Sequence, residues 1–413
     1  MRLRLKKFHI NREKIKKLKN IGPGIITGGA GDDPAGIVTY TVVGATTGFS
    51  QLWLMLLSTP MMIAVQDTAA KVALVTGKSL PEIINAFYSR KLTYFVVLLL
   101  FSANLLTIGA DLQAIATIFE VVTGIESDNF LILITILIAY LVAFKQYRTV
   151  KKVLIYLTSI LSVYIFSAIL SKPDIKEVIL NTFIPHVPSN IAFFLAALGL
   201  LGTTISPYMI FWQASEEKEE HATVSQAKIM EWDTALGMIY SNLIAFCIIV
   251  SSSVVLYGHK VETVKDISLA LKPVAGEYAF LLFSIGIVVS GFLAIPVLAG
   301  SSAYAVADTF GWREGMDNRV SDAKGFYLVF MGSLLIGDII DLSPISAVDA
   351  LYYSQIFDGI LLPVMTAILF ILGNNRDIMG EIKNGIFTNT FLFLTFFVSL
   401  SATIYTFYLI FSS

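Results

Sequence analysis

The chain has 413 residues, 56% of them hydrophobic and 14% charged, with 29 Lys and Arg set against 30 Asp and Glu. A soluble domain carries about a quarter charged residues, so this balance points away from a soluble protein and towards an integral membrane protein. The single Cys247 excludes an internal disulfide and suits a thiol in a helix interface.

Residues 1–20 open the chain with nine Lys and Arg, a basic segment rather than a signal peptide. Apolar runs close to the ~20 residues that cross a bilayer follow, at about 21–44, 50–70, 93–122, 129–144, 150–171, 191–214, 234–257, 278–309, 325–341, 345–372 and 387–410. They are rich in Leu, Ile, Ala and Gly without long two-residue alternation, which predicts helices rather than a barrel. Placing the N-terminus in the cytoplasm leaves 24 Lys and Arg inside and 5 outside, so the positive-inside rule predicts that orientation in a cell membrane.

The first run is broken. In "GPGIITGGAGDDPAGIVTYTVVG" (Gly22 to Gly44), Pro34 lacks an N–H and frees the carbonyl of Ala30, while neighbouring glycines let the backbone unwind. Such a break is tolerated in lipid only where it lines a cavity. Asp33 beside it is an intramembrane carboxylate, a functional-site candidate by default. Its alternative role is an ion pair or a cap on the second half-helix. Asp32 is a weaker candidate for the same cavity.

In the third run Asn104, Thr107 and Asp111 share one helix face, which suits either a polar conduit or hydrogen bonding across a helix interface. Five runs after the first break, "IAFFLAALGLLGTTISPYMIFWQAS" (Ile191 to Ser215) is interrupted by Pro207, which frees the carbonyl of Thr203. Paired breaks at corresponding places are the mark of an inverted-repeat transporter. The acidic stretch "SEEKEEHATVSQ" that follows reads as a solvated helix end, with gathering of cations at the inner mouth as its alternative. In the tenth run Asp358 lies one turn from Gln355, whereas Asp349 falls on the opposite face and reads as a membrane-edge contact.

At these residues the chain resembles the NRAMP family of metal-ion transporters. "GDDPAG" is similar to that family's first-helix Asp-Pro-Gly-Asn motif and "TTISPYMIFWQAS" to its sixth-helix Met-Pro-His motif. "VQDTAAKVALVTGKSL", "IGADLQAI" and "SQIFDGILLP" resemble the second, third and tenth helices. The resemblance implies a LeuT-like fold of two inverted five-helix repeats, here 21–171 and 191–372, after the basic segment 1–20 and before an eleventh helix at 387–410. It implies a metal site at Asp33, the Ala30 and Thr203 carbonyls, Ser206 and Gln355. Where the family has its asparagine and methionine ligands this chain has Gly36 and Ser206. Tyr208 replaces the histidine tied to proton movement, and Ala114 a third-helix glutamate; the family's arginine-rich ninth helix has no match.

The remaining donors are almost wholly oxygen, which suits hard divalent ions such as magnesium, with manganese also admitted. Losing side chains at Gly36 and Ser206 leaves space for the waters that magnesium keeps. Met209, one turn past Ser206, is either a packing residue or a restored sulfur ligand. Asp111 and Tyr208 are the residues on a proton route if one exists, although passive transport fits the missing titratable groups. The expected function is alternating-access transport of a divalent cation by a non-enzymatic monomer, with no cofactor and no nucleic-acid partner. A carrier of a small organic substrate and a proton-coupled manganese or iron importer are the alternatives. A carboxylate substrate would be repelled by Asp33, and the chain shows no Walker motif for ATP drive.

Overall fold

A computed structural model of the chain describes residues 28, 31–144, 159–219, 227–316, 318–341 and 345–412. The basic segment 1–20 and Ala30 lie outside the described residues. No strand occurs among the described ones. Numbering only the long helices and those at the breaks, α1 is Pro34–Thr47, α2 Leu52–Thr76, α3 Arg90–Thr123, α4 Asp128–Phe144 and α5 Val163–Leu170. The second half holds α6 Ile191–Thr204, α7 Pro207–Glu219, α8 Ala227–Val255, α9 Ala279–Phe310, α10 Lys324–Asp341, α11 Ala347–Asn374 and α12 Ile386–Ser412.

Every apolar run expected from the sequence coincides with a helix, so far as it is described. Seven helical stretches among the described residues are long and apolar enough to cross a membrane, and the stretch Pro34–Thr76 carries two of the expected runs. The shorter apolar helices at Asp128–Ala143 and Ser159–Leu170 fall on the fourth and fifth runs. Large apolar side chains stay exposed on the outer faces, among them Leu98, Ile132, Leu133, Ile136 and Phe411. An apolar exterior of that extent is a lipid-facing surface.

In lipid, apolar contact alone does not draw helices together, so close packing and small residues decide where they cross. A Cβ on Gly202 of α6 would lie 1.9 Å from the Gln355 carbonyl of α11, and one on Gly359 would lie 2.2 Å from the Leu198 carbonyl. The two backbones therefore touch at a glycine on each side, and this crossing sets Gln355 beside the second break. α1 is wrapped by α8, α6 and α11, while α3 packs on α9, α10 and α11. α12 lies against α2, α6 and α11, at the margin of the bundle. The result is an all-α membrane bundle with its broken helices at the centre.

Candidate metal-transport site

Both breaks are built by proline at the first position of a half-helix. α1 starts at Pro34, with Asp33 as its N-cap accepting from the Gly36 N–H. Proline suits that position because its missing N–H would be unpaired there in any case. α6 ends at Thr204 and α7 restarts at Pro207. The Ser206 hydroxyl donates to the carbonyls of Gly202 (2.7 Å) and Thr203 (3.0 Å), so it quenches the acceptors freed by the proline. Of the expected ligands, Thr203 and Ser206 thus meet each other, each keeping lone pairs. The Asp33 cap, set down above as an alternative to a site role, is present as well.

Four carboxylates gather around the breaks, with Asp32, Asp33, Asp111 and Asp358 each at most 1% exposed. Asp33 accepts from the Tyr208 hydroxyl of α7 at 3.3 Å. Asp111 accepts from the Ala35 N–H at 3.1 Å, which ties α3 to the first turn of α1. Asp32 accepts from the Ser241 hydroxyl of α8 at 3.0 Å. The charges of Asp111 and Asp358 lie within electrostatic range of Asp33. Among the described residues no Lys, Arg or His pairs with any of the four.

Acceptors outnumber donors here. Asp32 Oδ2, Asp111 Oδ2, Asp358 Oδ2 and the Gln355 Oε1 amide oxygen are buried without a donor among the described residues. Gln355 turns its amide nitrogen to Ser354 Oγ, 3.3 Å away, while its oxygen has no donor among the described residues. An unmet buried polar atom costs about 1–3 kcal/mol, and more when charged. A set of bare oxygens at membrane depth is what a cation would complete.

Two expectations need correction, and one left open is decided. Gly36 does not leave room for water: a Cβ there would sit 2.8 Å from Thr203 Oγ1, 2.9 Å from Asp33 Oδ1 and 2.9 Å from the Gly31 carbonyl. The space is filled by α6 and by the unwound backbone itself. The polar stripe of α3 divides, because the Asn104 amide donates to Leu298 O, Ser301 Oγ and Ser302 Oγ on α9. Asn104 holds a helix interface, while Asp111 turns to α1. The second correction concerns the end of α7, read as solvated. Glu216 and Glu217 are buried, and Lys218 pairs with Glu82 (2.7 Å), Asp308 (2.8 Å) and Glu314 (2.6 Å).

Other placements follow the sequence reading. Asp349 is exposed and bonded to Ser346 at the start of α11. Met209 is fully buried, and a Cβ on Gly31 would meet its sulfur at 3.0 Å. The thioether therefore rests on the unwound backbone next to Asp32. Sequence reasoning missed Ser241 and the Lys218 cluster. Gly237 and Ser241 form a one-turn pair of small residues on α8, and that face meets Gly28 so closely that a Cβ on Gly28 would lie 2.5 Å from the Gly237 carbonyl. This was the available signal for Ser241; the Lys218 cluster joins distant segments and had none.

With this geometry in place, comparison with known proteins is informative. Residues 24–409 match the family model described as Nramp, natural resistance-associated macrophage protein-like. The chain belongs to the Nramp family. The Nramp chain is 26% identical over 323 residues to the divalent metal cation transporter MntH of Caldanaerobacter subterraneus, covering 72% of this chain and 74% of that protein. It is 24% identical over 380 residues to MntH of Chromohalobacter salexigens, covering 88% and 85%. In fold it is similar to the Eremococcus coleocola manganese transporter, with a TM-score of 0.78 at 18% identity over 98% of this chain and 88% of that one. A more distant likeness joins it to Mhp1, a nucleobase-cation-symport-1 family transporter, with a TM-score of 0.58 at 13% identity over 94% and 93%. Fold and family are thus those of membrane transporters, not of enzymes.

Proposed function

We propose that this Nramp-family chain moves a divalent metal cation across the membrane by alternating access, with Asp33 as the indispensable ligand. The carrying observation is the excess of buried, donorless oxygens around two proline breaks with no basic side chain paired to them. Gln355, the Thr203 carbonyl and Ser206 complete the Asp33 position, and Ala30 is assigned to it by the family resemblance. In this reading Tyr208 gives up its bond to Asp33 as the ion enters, and Asp358 lines the approach from α11. Residues 21–171 and 191–372 are the two repeats, and the N-terminus is cytoplasmic.

Oxygen donors suit hard ions, so magnesium and manganese are both cargo in this reading. Met209 favours a second reading, manganese in preference to magnesium, because a thioether on the unwound backbone adds a soft donor that magnesium does not use. Proton coupling is not part of either reading. Lumen acidification in step with metal entry would bring it in, with Asp111 as the first carrier to test.

Reconstitution in liposomes decides the matter. Wild type should carry magnesium or manganese in a panel that also holds calcium and an amino acid mixture. Asp33→Asn keeps the shape and the cap yet loses the Coulomb attraction, which is large in a low-dielectric cavity, and should abolish metal flux in a folded protein. Undiminished flux through that variant would remove Asp33 from the site. Flux of amino acids without metal would overturn metal transport itself.

A further inference from the structure

Asp32 and Asp33 are adjacent in sequence but serve opposite sides of the first break. Asp33 has extended backbone, with φ −66° and ψ 171°, and the two carboxylates meet different helices. Asp33 accordingly reaches α7 through Tyr208, whereas Asp32 reaches α8 through Ser241. A helical DD pair would have fanned both carboxylates over neighbouring sectors of one cylinder; the unwound pair divides them between two helices.

The surroundings of Asp32 offer it a hydroxyl but no countercharge among the described residues. It is fully buried, one carboxylate oxygen takes the Ser241 hydroxyl, and the other has no donor among the described residues. The buried phenols of Tyr40 and Tyr164 lie within electrostatic range of its charge. Both are neutral oxygen-bearing groups that offer no countercharge. On α8 the backbone at Gly237, one turn before Ser241, presses against Gly28, so this pocket wall is fixed rather than loosely packed. A buried carboxylate without a cation is among the costliest groups a membrane protein can carry.

We propose that Asp32 and Ser241 form a second cation position, on the α8 side of the break, separate from the Asp33 position on the α7 side. It takes a hard cation through carboxylate and hydroxyl oxygens. A single carboxylate with neutral hydroxyls balances one positive charge, which makes sodium the first occupant to test and a second magnesium ion the other source of the same chemistry. The assignment rests on the transport reading only in taking Asp33 as the cargo ligand.

Equilibrium dialysis of the purified full chain in lipid nanodiscs, with bound ions counted by atomic emission, tests it. One arm holds magnesium with choline as the only monovalent cation, and the other adds sodium. Wild type should bind one more cation per chain than Asp32→Asn, as sodium in the second arm or as a second magnesium in the first. Asp33→Asn should lose one magnesium and keep the additional cation. Ser241→Ala, which leaves the carboxylate in place, should weaken the additional cation about tenfold, the usual cost of removing a supporting hydrogen bond, and leave the Asp33 ion unchanged. Equal ion counts and affinities in wild type, Asp32→Asn and Ser241→Ala would overturn the second position. Loss of every ion in Asp33→Asn would overturn its independence. An additional ion lost in Asp32→Asn, with magnesium intact in Asp33→Asn, would uphold the second position while removing the cargo assignment to Asp33.

Discussion

Two groups of acids in this protein are built on opposite principles. At the C-terminal end of α7, Glu82, Asp308 and Glu314 surround one ammonium, Lys218, at 2.6–2.8 Å. At the proline breaks, Asp32, Asp33, Asp111 and Asp358 have hydroxyls and backbone N–H groups but no paired cation among the described residues. The first group carries its own countercharge and fastens α7 to α9 and to the segments around Glu82 and Glu314. The second is left incomplete. Burial makes unpaired charge costly in either place, so the difference separates a fastening from the position proposed for the cargo.

The comparison breaks most severely at Gly36. Gly36→Asn should cut metal flux by more than an order of magnitude, since its Cβ would sit within 3 Å of Thr203 Oγ1 and the Gly31 carbonyl, closer than packed atoms allow. Ser206→Met added to it should not rescue flux. Manganese flux at the wild-type rate in the double variant would mean that the break is roomier than its geometry shows.

Lys218→Met attacks the other group. The Glu82 and Asp308 carboxylates lose their shared cation and the protonated Glu314 loses its neighbour, and removing one partner of a buried ion pair costs about 3–5 kcal/mol; the part-exposed Glu82 places this case near the lower bound. Thermal unfolding in detergent should show the loss, with magnesium or manganese affinity at the breaks unchanged. A large loss of ion affinity with unaltered stability would make Lys218 part of the site instead.

Smaller effects sharpen the contrast. Met209→Leu preserves volume and removes the sulfur, so the ratio of manganese to magnesium flux should fall several-fold if the thioether reaches the ion. An unaltered ratio would leave Met209 as packing alone. Glu314 gives the mildest test. Burial, then its hydrogen bond and repulsion with Asp308, push its carboxyl up to about 9 from about 4.5. The folded state then holds a proton that the unfolded state releases, so this group's contribution is full below about pH 4.5 and is lost as pH rises to about 9. Glu314→Gln should flatten that decline in melting temperature between pH 6 and 9. An identical slope in the variant would place the proton elsewhere.

What the sequence determined by itself was set by local rules. Bilayer thickness requires long apolar runs, and proline must end a hydrogen-bonded turn wherever it stands, so the helices and both breaks at Pro34 and Pro207 were legible from composition and spacing. Asp33 was legible because a carboxylate in an apolar run has few uses. The tertiary structure decided what those residues meet. Gly36 reads as a missing ligand until α6 is seen to fill its Cβ position, and Ser206 reads as an oxygen donor alone until its hydroxyl is also seen on the Gly202 and Thr203 carbonyls. Asn104 and Asp111 share a face in the sequence, yet one bonds to α9 and the other to α1. Lys218 and Asp308 lie 90 residues apart, and no local pattern joins them. Periodicity fixes which side of its own helix a residue occupies, whereas its partner depends on how separate helices cross, and those crossings are made by backbone contacts such as Gly202 against Gln355.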